Sequence, residues 1–133
     1  MSKPETCRFA KSHEWIHFKG HVGSVGVSEH AQKEISDVVF VELPKPGRKV
    51  AQGEACAVVE SVKAAFDIYA PVAGEIAAVN EALVKDPALI NREPHDGGWL
   101  FQIKADDAGL ASAEALMDLK KYEQFLASGA AAH

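Results

Sequence analysis

Residues 53–74 constrain the fold more tightly than any other part of the chain. They hold two β-type runs, Glu54-Ala55-Cys56-Ala57-Val58-Val59 and Phe66-Asp67-Ile68-Tyr69, with Glu60-Ser61-Val62-Lys63-Ala64-Ala65 between them. The second run ends in a turn, Ala70-Pro71-Val72-Ala73-Gly74. Strand, short link and strand make a hairpin with Lys63 at its tip. With no glycine at the tip, the sequence leaves the turn type open. A lysine placed there presents its amine to solvent. It is poorly placed for buried chemistry and well placed for modification by another enzyme, which suits a carrier better than a catalyst.

The rest of the chain is built from similar short pieces. Strands are predicted over residues 15–19 and 21–27, broken by Gly20, and over residues 38–43. Ser28 caps a short helix running to about Ser36, with Glu29 in its first turn. Pro44-Lys45-Pro46-Gly47 and His95-Asp96-Gly97-Gly98 are turns by composition. Further strands are predicted over residues 74–79 and 99–104, with a helical turn or loop over residues 80–83. In the tail, Leu110, Leu116, Leu119, Tyr122, Phe125 and Leu126 recur at helical spacing. This predicts one amphipathic helix over residues 111–128, capped by Ser112 and followed by Gly129, with residues 130–133 frayed. A weak internal repeat relates Gly23-Ser24-Val25 to Gly74-Glu75-Ile76, and Val27-Ser28-Glu29 to Val79-Asn80-Glu81. Two similar β-units joined by the Lys63 hairpin imply a mostly β, quasi-symmetric flattened barrel or sandwich with a helix packed against it.

With 133 residues the chain fits a single domain, its core expected over about residues 8–126. Such a domain buries enough surface to need neither disulfide nor metal staples. A net charge of −5, with no Lys/Arg run interleaved with aromatics, argues against nucleic-acid binding. No apolar run approaches membrane-spanning length. No signal or transit pattern is visible at the N-terminus, and two isolated cysteines fit a reducing compartment. A cytoplasmic location is therefore expected. Cys56, in an apolar strand, reads as a core residue.

His13-Glu14-Trp15-Ile16-His17 matches the zinc-peptidase pattern His-Glu-x-x-His. That chemistry needs both histidines on one helical face. Here Gly20, Gly23 and Gly26 follow, each costing a helix about 1 kcal/mol relative to Ala, so the segment reads as strand and no metal site is expected. His21, His30 and His95 form no further pattern and read as surface residues. Lys63 has three readings: a solvated surface lysine, a nucleophile, or an attachment site. A nucleophile needs a lowered pKa, whereas nearby Glu60 and Asp67 favour the charged form. Small neighbours, Ser61, Ala64 and Ala65, suit attachment.

Residues 60–76 resemble the lipoyl-attachment segment of glycine cleavage system H proteins. Ser12-His13-Glu14-Trp15, Gly26-Val27-Ser28-Glu29-His30-Ala31-Gln32, Val39-Phe40-Val41-Glu42-Leu43-Pro44 and Gly97-Gly98-Trp99-Leu100 resemble further signatures of that family, in order along the chain. The resemblance implies the lipoyl/biotinyl-type barrel-sandwich fold and lipoate in amide linkage to Lys63. It implies a non-catalytic swinging-arm carrier of aminomethyl groups and reducing equivalents. Its implied partners are a pyridoxal-phosphate glycine decarboxylase, a tetrahydrofolate-dependent aminomethyltransferase and dihydrolipoamide dehydrogenase. A lipoate ligase or octanoyltransferase would load the arm, and the carrier is expected to be a monomer. By the same resemblance, Glu60 and Ala64 help the loading enzyme recognise the hairpin. Ser12, Glu14 and Asp67 form a cradle for the loaded arm, since two carboxylates and a hydroxyl suit a protonated amine.

Three rivals share the hairpin-lysine logic. A biotin carrier typically has methionines beside its lysine, where this chain has Val62 and Ala64. A lipoyl domain of a 2-oxoacid dehydrogenase is usually shorter and typically has Asp before the lysine. An H-like protein acting only as a lipoyl donor to other enzymes would carry the same attachment site.

Overall fold

The computed structural model describes residues 3–128, so the expected fraying of residues 130–133 and the role of Gly129 lie outside the described residues. Among the described residues, nine strands form two antiparallel sheets. The larger contains β1 (Arg8–Phe9), β2 (Glu14–Lys19), β3 (Val22–Val27), β5 (Lys49–Val50), β8 (Gly74–Val79) and β9 (Phe101–Lys104). Their order is β1-β2-β3-β9-β8-β5. The smaller has β4 (Val38–Glu42), β6 (Ala55–Ser61) and β7 (Ala65–Tyr69), with β6 in the middle. This is the two-sheet barrel-sandwich expected from the sequence. The repeated segments, β3 and β8, flank β9: Phe101 is paired with Val25 on one side and Val79 on the other.

One apolar cluster joins the sheets. Ile16, Val25, Ile76, Phe101 and Ile103 from the larger sheet meet Val41, Val59 and Ile68 from the smaller. Fully burying one such side chain contributes about 1.5–3 kcal/mol. Cys56 belongs to this core, and burial pushes its thiol up to about 11. A second cluster, Cys7, Phe9, Trp15 and Tyr122, lies under the C-terminal helix.

Among the described residues the α-helices are all short: α1 (Glu29–Ile35), α2 (Ala82–Lys85), α3 (Leu89–Arg92), α4 (Asp107–Glu114) and α5 (Leu119–Ala127). Ser28 caps α1 as expected, accepting from the Ala31 amide. The tail differs from the single helix predicted. It is two helices, capped by Asp106 and Asp118 rather than Ser112. The break has a tertiary cause: the backbones of Met117 and Phe9 exchange two hydrogen bonds, 2.7 and 3.1 Å long. A residue committed to that exchange cannot also continue the helical ladder. The last expected strand is also shorter, since Trp99 and Leu100 precede β9. His95 is not the surface residue expected. It is half-buried and stacked on Trp15 at 5.2 Å, and burial lowers its pKa.

Candidate functional site

The hairpin β6–β7 pairs Glu60 with Ala65 and closes through Val62 and Lys63. Neither of these two has a positive φ, which excludes the primed turns usual in two-residue hairpins. Ser61 replaces the usual glycine chemistry. Its Oγ accepts from the amides of Lys63 (3.2 Å) and Ala64 (3.3 Å), and its backbone N–H donates to the Ala64 carbonyl at 2.8 Å. The Val62 amide donates to the Asp37 carbonyl at 3.1 Å, tying the tip to the chain entering β4. Asn91 holds that entry, its Oδ1 accepting from Val38 and its Nδ2 donating to the Ser36 carbonyl. None of the bonds that hold the tip uses the Lys63 amine, and the side chain is exposed. Glu60 is exposed near the end of β6, beside the tip, and Ala64, also exposed, ends the turn.

Ser12 and Glu14 come together beside β7. The Ser12 hydroxyl donates to Glu14 Oε1, and the Tyr69 amide donates to Oε2 at 3.0 Å. Tyr69 lies on a sheet edge, so its amide has no strand partner on that side and takes the carboxylate instead. Glu14 is 1% exposed, and burial raises its pKa to about 7 against the lowering effect of both hydrogen bonds. Asp67 lies two residues before Tyr69 on the exposed side of β7. The structure thus joins Ser12 to Glu14. Asp67 shares their strand neighbourhood, but among the described residues no hydrogen bond links it to them. Ser12 and Glu14 thus bring a hydroxyl and a buried carboxyl to the edge of β7, the strand that also carries the exposed Asp67 carboxylate.

His13, between Ser12 and Glu14, adopts φ 78° and aims its ring at the C-terminal helix. Its Nδ1 lies 2.7 Å from the Tyr122 hydroxyl, which is also 2.7 Å from Ser28 Oγ. This hydroxyl chain anchors the Ser12–Glu14 segment to α5 and to the cap of α1. Sequence reasoning missed it, because the partners lie far apart along the chain. It also missed Ser61 as the turn-forming group, although a serine two residues before the tip is a legible signal. The His-Glu-x-x-His pattern lies at the start of β2, where its histidines are not on one helical face. Among the described residues no group of three or more metal-ligating side chains converges, and no helix is long and apolar enough to cross a membrane.

A family model described as glycine cleavage H-protein matches residues 7–129. The glycine cleavage system H protein of Acidiphilium cryptum is 50% identical over 121 residues, covering 91% of this chain and 96% of that protein. That of Escherichia coli O127:H6 is 50% identical over 124 residues, covering 92% and 95%. The crystal structure of a glycine cleavage system H protein from Mycobacterium marinum aligns with a TM-score of 0.73 at 33% identity, over 86% of this chain and all of that one.

Proposed function

The chain belongs to the glycine cleavage H-protein family and serves as a carrier in the glycine cleavage system, and we propose that it does so through a lipoyl group in amide linkage to Lys63. The observation that carries this is the tip itself: a lysine held by a serine-built turn that leaves its amine unused. Attachment joins the Lys63 nitrogen to the carboxyl carbon of an activated lipoate. The bond to its leaving group, an adenylate or a thiol, breaks, and the amine's proton passes to solvent. When bound, the lipoyl group supplies a disulfide that takes up a one-carbon amine and two electrons.

The chain's own part is to present, tether and shelter. Tethering raises the local concentration of cargo at each partner. Ser12, Glu14 and Asp67 form the shelter. Glu14 sits close enough to neutrality to be protonated when alone, and an arriving ammonium favours its charged form. The protein itself is non-catalytic in this reading and acts in the cytoplasm as a monomer. Its partners are the pyridoxal-phosphate decarboxylase, the tetrahydrofolate-dependent aminomethyltransferase and dihydrolipoamide dehydrogenase, after loading by a lipoate ligase or octanoyltransferase. Glu60 and Ala64 belong to the surface that the loading enzyme reads.

Intact mass and peptide mapping after incubation with lipoate, ATP and lipoate ligase test the attachment. One lipoyl group confined to Lys63, absent in Lys63→Arg, is expected; a folded protein left bare refutes it. Glycine-dependent loading of the arm then separates glycine cleavage from a pure lipoyl relay. Glu14→Ala with Asp67→Ala should speed loss of the amine cargo from the isolated loaded protein, and an unchanged release rate would remove the shelter.

A further inference from the structure

β4 breaks the alternation that a half-buried strand should keep. Val38 pairs with Ser61 and Phe40 with Glu60, so Val39 is an extra residue, a β-bulge. The bulge turns two consecutive apolar side chains outward: Val39 is 55% and Phe40 54% exposed. Val62, at the hairpin tip, is 69% exposed. The register extends this patch across the smaller sheet. Phe40, Glu60 and Ala65 form one cross-strand row, and Glu42, Val58 and Asp67 form the next. Paired residues share a face. The outward face is therefore apolar at Phe40, Val58 and Ala65, with the carboxylates of Glu42, Glu60 and Asp67 among them. An exposed aromatic on an edge strand is an aggregation liability unless something covers it.

We propose that this face, centred on Phe40, Val39 and Val62, is the docking surface for the enzyme that acylates Lys63, which meets it with an apolar pocket bordered by Lys or Arg. The proposal rests on Lys63 being the attachment site. Its occupant follows from reach. Enzymes that use a loaded arm meet it at the end of a long tether and need not touch the base. The acylating enzyme works before any tether exists. It has to bring its activated carbonyl carbon within bonding distance of the Lys63 amine, and so covers the tip and what adjoins it. The Val62–Asp37 hydrogen bond holds the tip and the bulged strand in one orientation, so the patch is pre-formed. A buried aromatic anchor supplies affinity, and the carboxylates steer a basic rim.

The test measures initial rates of lipoylation of the unmodified protein by lipoate ligase, with ATP and lipoate, and binding of the two proteins by calorimetry. Phe40→Ser and Val39→Ser should each raise KM and Kd about tenfold or more, equivalent to about 1.4 kcal/mol, with kcat unchanged. Phe40→Leu, which keeps an apolar side chain, should stay within about threefold of wild type. Glu42→Gln should raise KM and flatten its dependence on salt, whereas Glu75→Gln, on the other sheet, should do neither. KM and Kd within about twofold of wild type for both serine variants would overturn the proposal. So would equal effects of the two glutamine variants, or a wild-type dimer abolished by Phe40→Ser, which would make a second copy the occupant. If the wild type accepted no lipoyl group at Lys63, the attachment reading would fail as well; normal lipoylation of wild type and variants alike removes the docking surface alone.

Discussion

Replacing Glu14 by Gln should make the protein more stable, with a gain that starts above about pH 4.5 and is complete above about pH 7. Burial lifts the folded-state value of Glu14 from the ordinary 4.5 to about 7. Below about 4.5 the carboxyl is protonated in both folded and unfolded chains and contributes no difference. As pH rises from there towards 7, the unfolded chain ionises first and folding loses free energy. Above about 7 the full cost of the buried charge remains. The gap corresponds to about 3 kcal/mol. Gln has nearly the same shape. Its carbonyl oxygen can still accept from the Tyr69 amide, and its amide can donate to the Ser12 hydroxyl, so no polar group is orphaned. Urea unfolding of both proteins should therefore coincide near pH 4.5 and diverge by up to about 3 kcal/mol near pH 8. In a thermal scan the same difference is up to about 10 °C for a domain of this size. Carboxyl NMR of the wild type should place the Glu14 midpoint near 7. A stability difference equal at both pH values, or a midpoint in the ordinary carboxylate range, would show that water reaches the carboxylate and that the seam beside β7 is open.

Ser61→Ala removes the oxygen that accepts from the Lys63 and Ala64 amides, so those two amides should exchange faster in hydrogen-exchange NMR and stability should fall by about 1 kcal/mol; unchanged exchange would contradict the serine-built turn. Asp118→Ala separates one tail helix from two: in a continuous helix it would stabilise, but as the loss of the α5 cap it should cost about 1 kcal/mol, read by urea unfolding. Gly26→Ala would put a Cβ 2.7 Å from three atoms of the Trp15 indole, so it should cost about 1–3 kcal/mol and shift the tryptophan emission. Tyr122→Phe deletes the hydroxyl shared by His13 and Ser28 and should destabilise by about 1–2 kcal/mol, visible as a lower thermal midpoint.

The parts legible in the sequence are those settled by near neighbours. β6, the tip and β7 are contiguous, and β-branched residues, a serine and alanines decide them locally, so Lys63 could be placed before any coordinates. The same holds for α1, whose cap and first turn are adjacent. The tail was misread because Leu116, Leu119 and Tyr122 keep helical spacing straight across a break made by Phe9, from the other end of the chain. Glu14 was readable as a carboxylate but not as a buried one, because Tyr69, its partner, lies 55 positions away. His95 is half-buried against Trp15 in the same non-local way. Under the proposed function, the division follows the work assigned to each part. A surface that another enzyme must recognise before the arm exists has to be a compact local motif. A shelter for a labile cargo has to be assembled from segments that meet only on folding, since shelter requires walls on several sides. The bulge at Val39 belongs to both kinds. Its apolar residues are plain in the sequence as a strand, and only the pairing of β4 with β6 reveals that two of them face out towards Lys63's side of the molecule.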